Sequence, residues 1–133
     1  MSFEQNSLKS RKLKIAFASK DNIHVNQHFG WCEKFFIYEL DTKGFYFVDE
    51  VDSSIKYDQE VQKLVYKIEC IENCDIVCVS QIGPKAANMV QSVGIYPMKS
   101  NNEDEKIEEL LSLLQKMINN NTPLWLKRIL LKK

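Results

Sequence analysis

Two histidines and a cysteine lie close together in one polar segment, at His24, His28 and Cys32. Neutral imidazole and thiolate are the side chains that bind iron and other borderline metals. The segment follows a predicted strand, and loops beyond the carboxyl ends of strands form the ligand crevice of open α/β sheets. Its spacing matches no standard ligand set. Two interpretations therefore stay open: a metal-binding loop, or a loop that His28 braces while Cys32 packs inside.

A second segment, residues 80–85, also follows a predicted strand and opens a predicted helix. It contains Gly83, Pro84 and Lys85. The N–H groups at a helix start carry partial positive charge and attract anions, and Lys85 would add a formal charge. An ordinary strand-to-helix turn is the alternative. We expect this segment to adjoin the His28 loop if the two preceding strands are neighbours.

The other three cysteines, Cys70, Cys74 and Cys78, are each four residues apart. Iron–sulfur motifs place cysteines closer together, and these three fall on a predicted helix, its end and a strand, so they would not share a face. Free cysteine is among the most buried residue types. The spacing thus favours core packing. The sequence also contains no Walker loop, nucleophile elbow or dinucleotide fingerprint, so nothing in it predicts standard enzyme catalysis.

Composition limits the class of protein. The chain has 133 residues, of which 44% are hydrophobic, with 18 basic and 18 acidic side chains. This length supports one domain with its own core. A neutral chain has no global field to hold a polyanion, so nucleic acid is not the expected partner. We find no apolar run long enough for a membrane span, and residues 1–11 lack the apolar stretch of a signal peptide. The prediction is a cytoplasmic protein whose cysteines are thiols.

The first half of the chain predicts a tail and three strands. Residues 1–12 form the predicted flexible tail. The strands are predicted at 13–19, 35–40 and 45–51 from alternating or aromatic-rich patterns. Ala16 and Ala18 give the first strand one small face, which indicates close packing there. Gly44 lies in the turn between the second and third strands, where a positive φ would suit a tight hairpin.

The second half predicts helices that alternate with short strands. Helices are predicted at 58–72, 84–93, 103–118 and 123–131, and strands at 75–80 and 95–98. Gly94 suits the end of the second helix, and Pro97 favours an edge strand. Leu124 or Trp125 is expected to dock the last helix on the body, the alternative being a partner-docking or anionic surface. The prediction is an α/β fold, with a mixed sheet flanked by helices and one domain spanning 13–131.

Several motifs closely resemble the NifX-type proteins of nitrogenase cofactor assembly, a family that includes the cofactor-binding domain of NafY and the C-terminal domain of many NifB proteins. The matching segments are 14–19, 25–30, 35–38, 74–77, 82–84, 94–97 and Trp125-Leu126. The His28-Phe29-Gly30 step after an Ala-rich strand is the most specific of them. The resemblance covers about residues 12–131.

The resemblance implies a ribonuclease-H-like three-layer fold with a five-stranded mixed sheet. It also implies a carrier rather than an enzyme: a protein that transiently binds an iron–sulfur precursor of the iron–molybdenum cofactor, the NifB product, on its way to the scaffold NifEN. In the related cofactor-binding domain a histidine of the corresponding loop is implicated as a ligand, a role that maps onto His28. Cys32 has no such precedent, and His24 lies outside the motif. The predicted cofactor-binding residues are His28, Phe29, Gly30, Cys32, Gly83, Pro84 and Lys85, with His28 as metal ligand.

Three other functions compete with this prediction. Ribonuclease-H-like nucleases hold Mg²⁺ with carboxylates, one of them on the first strand, and the first strand here contains no acid. A protein-interaction module would use the basic tail or exposed aromatic side chains. A paralogous iron–sulfur carrier without a nitrogenase role would have the same fold and loop.

Overall fold

A computed structural model describes residues 12–132. The predicted flexible tail therefore lies outside the described residues, apart from Lys12, which is exposed. The order of elements agrees with the predicted order. The elements are β1 Leu13–Ala18, β2 Lys34–Leu40, β3 Phe45–Asp52, α1 Glu60–Cys70, β4 Ile76–Val79, α2 Pro84–Ser92, β5 Tyr96–Lys99, α3 Ile107–Asn119 and α4 Leu124–Leu131.

The strands form one mixed sheet in the order β3-β2-β1-β4-β5. β1 pairs antiparallel with β2 and parallel with β4, and β4 pairs parallel with β5. The predicted mixed sheet is thus confirmed. β5, which contains Pro97, lies at an edge, where the missing N–H costs no ladder bond. Because β1 and β4 are parallel neighbours, the segments that follow them begin side by side, at the carboxyl ends of the two strands.

Alternating side chains of β1 build two cores on opposite faces of the sheet. Leu13, Ile15 and Phe17 pack with buried residues of α3 and α4. Ala16 and Ala18 belong instead to the buried cluster that contains α1, α2 and Phe29. Helices therefore cover both faces. The small face of β1 leaves room beside the sheet for the large ring of Phe29.

The hairpin between β2 and β3 is confirmed, but the positive φ expected for Gly44 is not observed. Among the described glycines only Gly94, just after α2, has a positive φ, at 87°. The turn is closed by Asp41, whose carboxylate accepts the backbone N–H of Lys43 and Gly44 at 2.8 and 3.0 Å. A side-chain acceptor that satisfies two turn amides removes the need for a left-handed glycine.

The apolar residues that recur at helical spacing in α1 are only partly buried. Leu64 and Ile68 lie in the core, whereas Val61 and Val65 are 46% and 43% exposed. Lys67 takes a buried position on the inner face instead. The helix period alone places Lys67 beside Leu64 and Ile68, yet it gives no sign that a lysine would be tolerated there.

The last two helices also differ in detail from the prediction. α3 begins at Ile107, not at Glu103, and the Glu109 carboxylate accepts the backbone N–H of Lys106 at 3.1 Å. In α4, Leu124 is 63% exposed, while Trp125 stacks on Tyr96 with ring centroids 4.3 Å apart. α4 is therefore docked through Trp125 and the buried Leu126, Ile129 and Leu130. None of the helices in residues 12–132 has the length and apolar character that crossing a bilayer requires.

Candidate functional site

The loop between β1 and β2 is fixed to the body at two points by its backbone. Near its start, the Val25 N–H donates to the Glu105 carbonyl at 2.9 Å. Further along, the Phe29 N–H donates to the Gln81 carbonyl and the Ser80 N–H donates to the Gln27 carbonyl, both at 2.9 Å. His28 and Gln81 form a parallel bridge. The expected contact between the His28 loop and the 80–85 segment is thus confirmed.

Phe29 and Cys32 anchor this loop through side chains that are buried in the core. Phe29 is fully buried, with its ring centroid 5.8 Å from that of Phe35. Cys32 is 1% exposed, and its thiol donates to the Phe29 carbonyl at 3.3 Å. Neither side chain lines the cavity beside His28. Their burial fixes the backbone of His28 and Gly30 against the sheet edge.

His28 is exposed and borders a cavity of about 330 Å³. Gly30, Gly83, Pro84 and Lys85 line the same cavity, so the structure brings together five of the seven predicted site residues. No side-chain hydrogen bond joins the His28 ring to another described residue. The His28 ring, without a partner among the described residues, is available to a ligand, because neutral imidazole donates through one nitrogen and accepts through the other.

His24 differs from His28 in this respect. Its Nδ1 lies 2.8 Å from the Asp21 carboxylate, which also accepts the backbone N–H groups of Ile23 and His24 at 2.9 Å. These hydrogen bonds, led by the backbone N–H of His24, lower the pKa of Asp21. His24 therefore serves the first turn of the loop and does not line the His28 cavity.

The start of α2 supplies hydrogen-bond donors to the same cavity. Gly83 precedes the helix without a side-chain cap, and Pro84 occupies the first turn. The first N–H groups of a helix have no acceptor within the helix, and two residues of the first turn of α2, Lys85 and Ala86, line the cavity. Together with the helix dipole, they favour a ligand with negative charge.

Sequence reasoning missed two side chains of this site, Trp31 and Lys63. Trp31 is 76% exposed, and the Lys63 ammonium lies 5.4 Å from the centroid of its ring. Lys63 also pairs with Glu60 at 3.2 Å. Both Trp31 and Lys63 line the His28 cavity. Trp31 could have been noted as a large aromatic next to the motif, but Lys63 reaches the loop only through the packing of α1.

The cysteines do not form a metal site in this conformation. Within residues 12–132, no group of three or more His, Cys, Asp or Glu side chains is arranged to hold a metal ion. The predicted core packing of Cys74 and Cys78 is confirmed, and Cys70 is half-buried. Burial raises the pKa of the Cys32, Cys70 and Cys78 thiols, so the neutral thiol is favoured.

This burial predicts the thiol reactivity of the native protein. At pH 8, Ellman's reagent should modify about one thiol per chain, at Cys70, and more slowly than free cysteine, because the thiolate is the nucleophile. The remaining thiols should react only in denaturant. Cys70→Ser is the matched control and should abolish the native reaction. Rapid native modification of two or more thiols would contradict the burial described here.

A model of the family described as dinitrogenase iron-molybdenum cofactor matches residues 11–117. The chain belongs to the dinitrogenase iron-molybdenum cofactor family. The match includes the His28 loop, the 80–85 segment and all five strands of the sheet.

Individual members of the dinitrogenase iron-molybdenum cofactor family confirm the NifX-type prediction. The chain is 33% identical to NifX of Herbaspirillum seropedicae over 126 residues, which is 93% of this chain and 86% of the relative. It is 31% identical to NifX of Azotobacter vinelandii, over 87% of this chain and 73% of the relative. A 90-residue stretch is 37% identical to part of the iron–molybdenum cofactor biosynthesis protein NifB of Herbaspirillum seropedicae, covering 65% of this chain and 17% of NifB.

Solved structures share the fold. The protein PH0822 superposes with a TM-score of 0.59 at 19% identity, over 80% of this chain and 89% of its own. A protein from Methanocaldococcus jannaschii superposes with a TM-score of 0.53 at 14% identity, over 80% of this chain and 90% of its own. At such identities the likeness concerns the fold alone.

Proposed function

We propose that this chain acts in the biosynthesis of the iron–molybdenum cofactor of nitrogenase. In this proposal it binds an iron–sulfur precursor of the cofactor, the product of NifB, and carries it to the scaffold NifEN. The observation that carries the proposal is an exposed imidazole, His28, beside a helix start and a cavity in a member of this family. The chain is a carrier rather than an enzyme, and the cluster is its cargo.

The chemistry of the loop suits reversible binding. A preassembled cluster contains its own bridging sulfides, so a carrier needs few protein ligands. His28 supplies one nitrogen, and the amides of Lys85 and Ala86 can donate hydrogen bonds to cluster sulfides. A larger set of thiolates would hold the cluster too tightly for transfer. Cys32 would have to leave its buried position to become a ligand, so we assign the metal contact to His28 alone.

The charges around the cavity agree with an anionic cargo. Lys63 and Lys85 line it, with Glu60 the opposing carboxylate. The Glu60 side chain is 60% exposed and pairs with Lys63, so these two charges largely offset each other and Lys85 supplies the net positive charge. The positive end of α2 adds to this charge. Gly30 and Gly83 contribute backbone without side chains, which allows a cluster to approach the peptide groups closely.

We also infer that residues 13–131 form a single carrier domain of the ribonuclease-H-like three-layer type. The order β3-β2-β1-β4-β5 and the two cores on opposite faces of the sheet support this assignment. In this arrangement the last helix, at about 123–131, belongs to the domain body. The cargo site lies at the edge where the parallel strands β1 and β4 end.

The proposal is tested by anaerobic loading. Purified protein is incubated with the NifB product, separated by gel filtration, and examined for bound iron and visible absorption. We expect a brown protein that contains iron and gives it up when NifEN without cluster is added. A colourless protein after incubation would contradict binding, and iron that stays bound in the presence of NifEN would contradict carrying.

A further inference from the structure

Lys67 is a buried charge that the cargo site does not use. It is 3% exposed, and its ammonium group donates to the backbone carbonyls of Cys32 and Ser53, the latter at 2.9 Å. These bonds join the end of the His28 loop to the segment that follows β3. The two carbonyls accept two of the three ammonium N–H groups, and carbonyl dipoles do not cancel the net charge.

Within the described part of the chain, no carboxylate balances this charge at close range. Among residues 12–132, the ion pairs within 4.0 Å involve other side chains. Asp52 interacts electrostatically with Lys67, but its side chain is exposed and accepts a hydrogen bond from Ser54. A buried ion without a counterion is costly, because the interior screens charge poorly. An anionic ligand would supply the missing charge.

A cavity of about 530 Å³ opens above Lys67. Lys63 and Lys56 also line it, against the single carboxylate of Glu33. Trp31, Ile55 and Tyr57 form apolar walls that are themselves partly exposed. This volume and mixture of apolar walls with a few charged groups are typical of sites for small organic molecules, and the volume exceeds the needs of a lone inorganic anion.

We propose that this second cavity binds a small organic acid. Its carboxylates would meet the ammonium groups of Lys67 and Lys63, while its carbon body would lie against Trp31. The cavity shares Gly30, Trp31 and Lys63 with the His28 cavity, so the two sites are adjacent. The proposal does not depend on cluster carrying, because the lysines and the missing counterion are features of the cluster-free protein.

Calorimetry on the full-length, cluster-free chain tests the proposal, with citrate as the probe. We expect one citrate per chain in low-salt buffer. Lys67→Met and Lys63→Met should each weaken binding at least about tenfold, because each removes a charged partner of a carboxylate. Lys116→Met, on the exposed side of α3, is the matched control and should keep the parental affinity. No measurable citrate binding, or full affinity in both site variants, would overturn the proposal.

Three further measurements make the outcome decisive. Lys67 also bonds backbone, so its variant is checked by circular dichroism. If that variant is unfolded, Lys63→Met, at the surface of α1, decides the test. Inorganic phosphate is titrated in parallel, and binding as tight as that of citrate would overturn the assignment to an organic acid. Citrate binding that survives in His28→Ala while iron uptake is lost would separate this site from the cargo site.

Discussion

Replacing His28 by alanine is expected to lower uptake of the NifB product by at least about tenfold without unfolding the protein. Loss of groups that merely orient a metal ligand weakens binding by about 10–100-fold, and loss of the ligand itself should cost no less. The His28 ring is exposed and has no hydrogen-bond partner among the described side chains. Its removal should therefore leave the free energy of unfolding within about 0.5 kcal/mol of the parent.

His24→Ala is the matched control for this experiment. The two histidines lie in the same loop, but His24 is bonded to Asp21 and does not line the cavity. Its variant should load iron as the parent does. A His28→Cys variant adds a positive control, because thiolate also binds iron, and it should recover part of the uptake. Equal loading of His28→Ala and parent would show that the imidazole is not a ligand.

Phe29→Ala is expected to have the largest effect on stability. Truncating a fully buried phenylalanine removes its packing and leaves a cavity, which typically costs about 3–5 kcal/mol. Phe29 lies in the core shared by β1, α1 and α2, directly below His28. The lost ring should therefore both lower the urea midpoint and loosen the loop, so that cluster uptake falls although no ligand has been removed.

Trp31→Ala separates these effects from the mere loss of an aromatic ring. Trp31 is two residues away, and its side chain is 76% exposed. Its truncation should change the free energy of unfolding by less than about 0.5 kcal/mol. If both variants unfold at the parental urea concentration, Phe29 does not anchor the loop as described. If Trp31→Ala is the less stable of the two, the assignment of burial in this loop is wrong.

The sheet could be predicted from the sequence because local pattern and position agree there. The apolar run of β4 is typical of a strand covered on both faces, and it is fully buried between β1 and β5. Pro97 indicated an edge, and the parallel relation of β1 and β4 placed the two site loops together. These signals depend on residue type and short-range order.

The roles of Lys67 and Lys63 could not be predicted, because they depend on contacts between residues that are distant along the chain. Lys67 is stabilised by carbonyl groups at positions 32 and 53, which are far away along the chain. Lys63 approaches Trp31 only because α1 packs beneath the His28 loop. Helix periodicity describes which side chains share a face, not what that face meets. The same limit applies to Val61 and Val65, which fall at the spacing of the apolar face and yet are exposed.

The candidate site was predicted in part. The His28 loop and the 80–85 segment were expected to meet, and their backbones are bonded. The sequence could not separate His24 from His28 by chemistry, since both are histidines in one polar loop. The structure separates them through Asp21, which engages one ring and leaves the other beside the cavity. The role of Cys32 as a ligand stays a prediction, and its buried thiol does not support it.

The most direct measurement is the magnetic coupling between a histidine nitrogen and the bound cluster. Protein labelled with ¹⁵N-histidine is loaded anaerobically with the NifB product, brought to a paramagnetic state, and examined by pulsed electron paramagnetic resonance. A strong ¹⁵N coupling that persists in His24→Ala and disappears in His28→Ala is the predicted result. A loaded parent protein without such a coupling, or a coupling unchanged in His28→Ala, would contradict the assignment of His28 as the ligand.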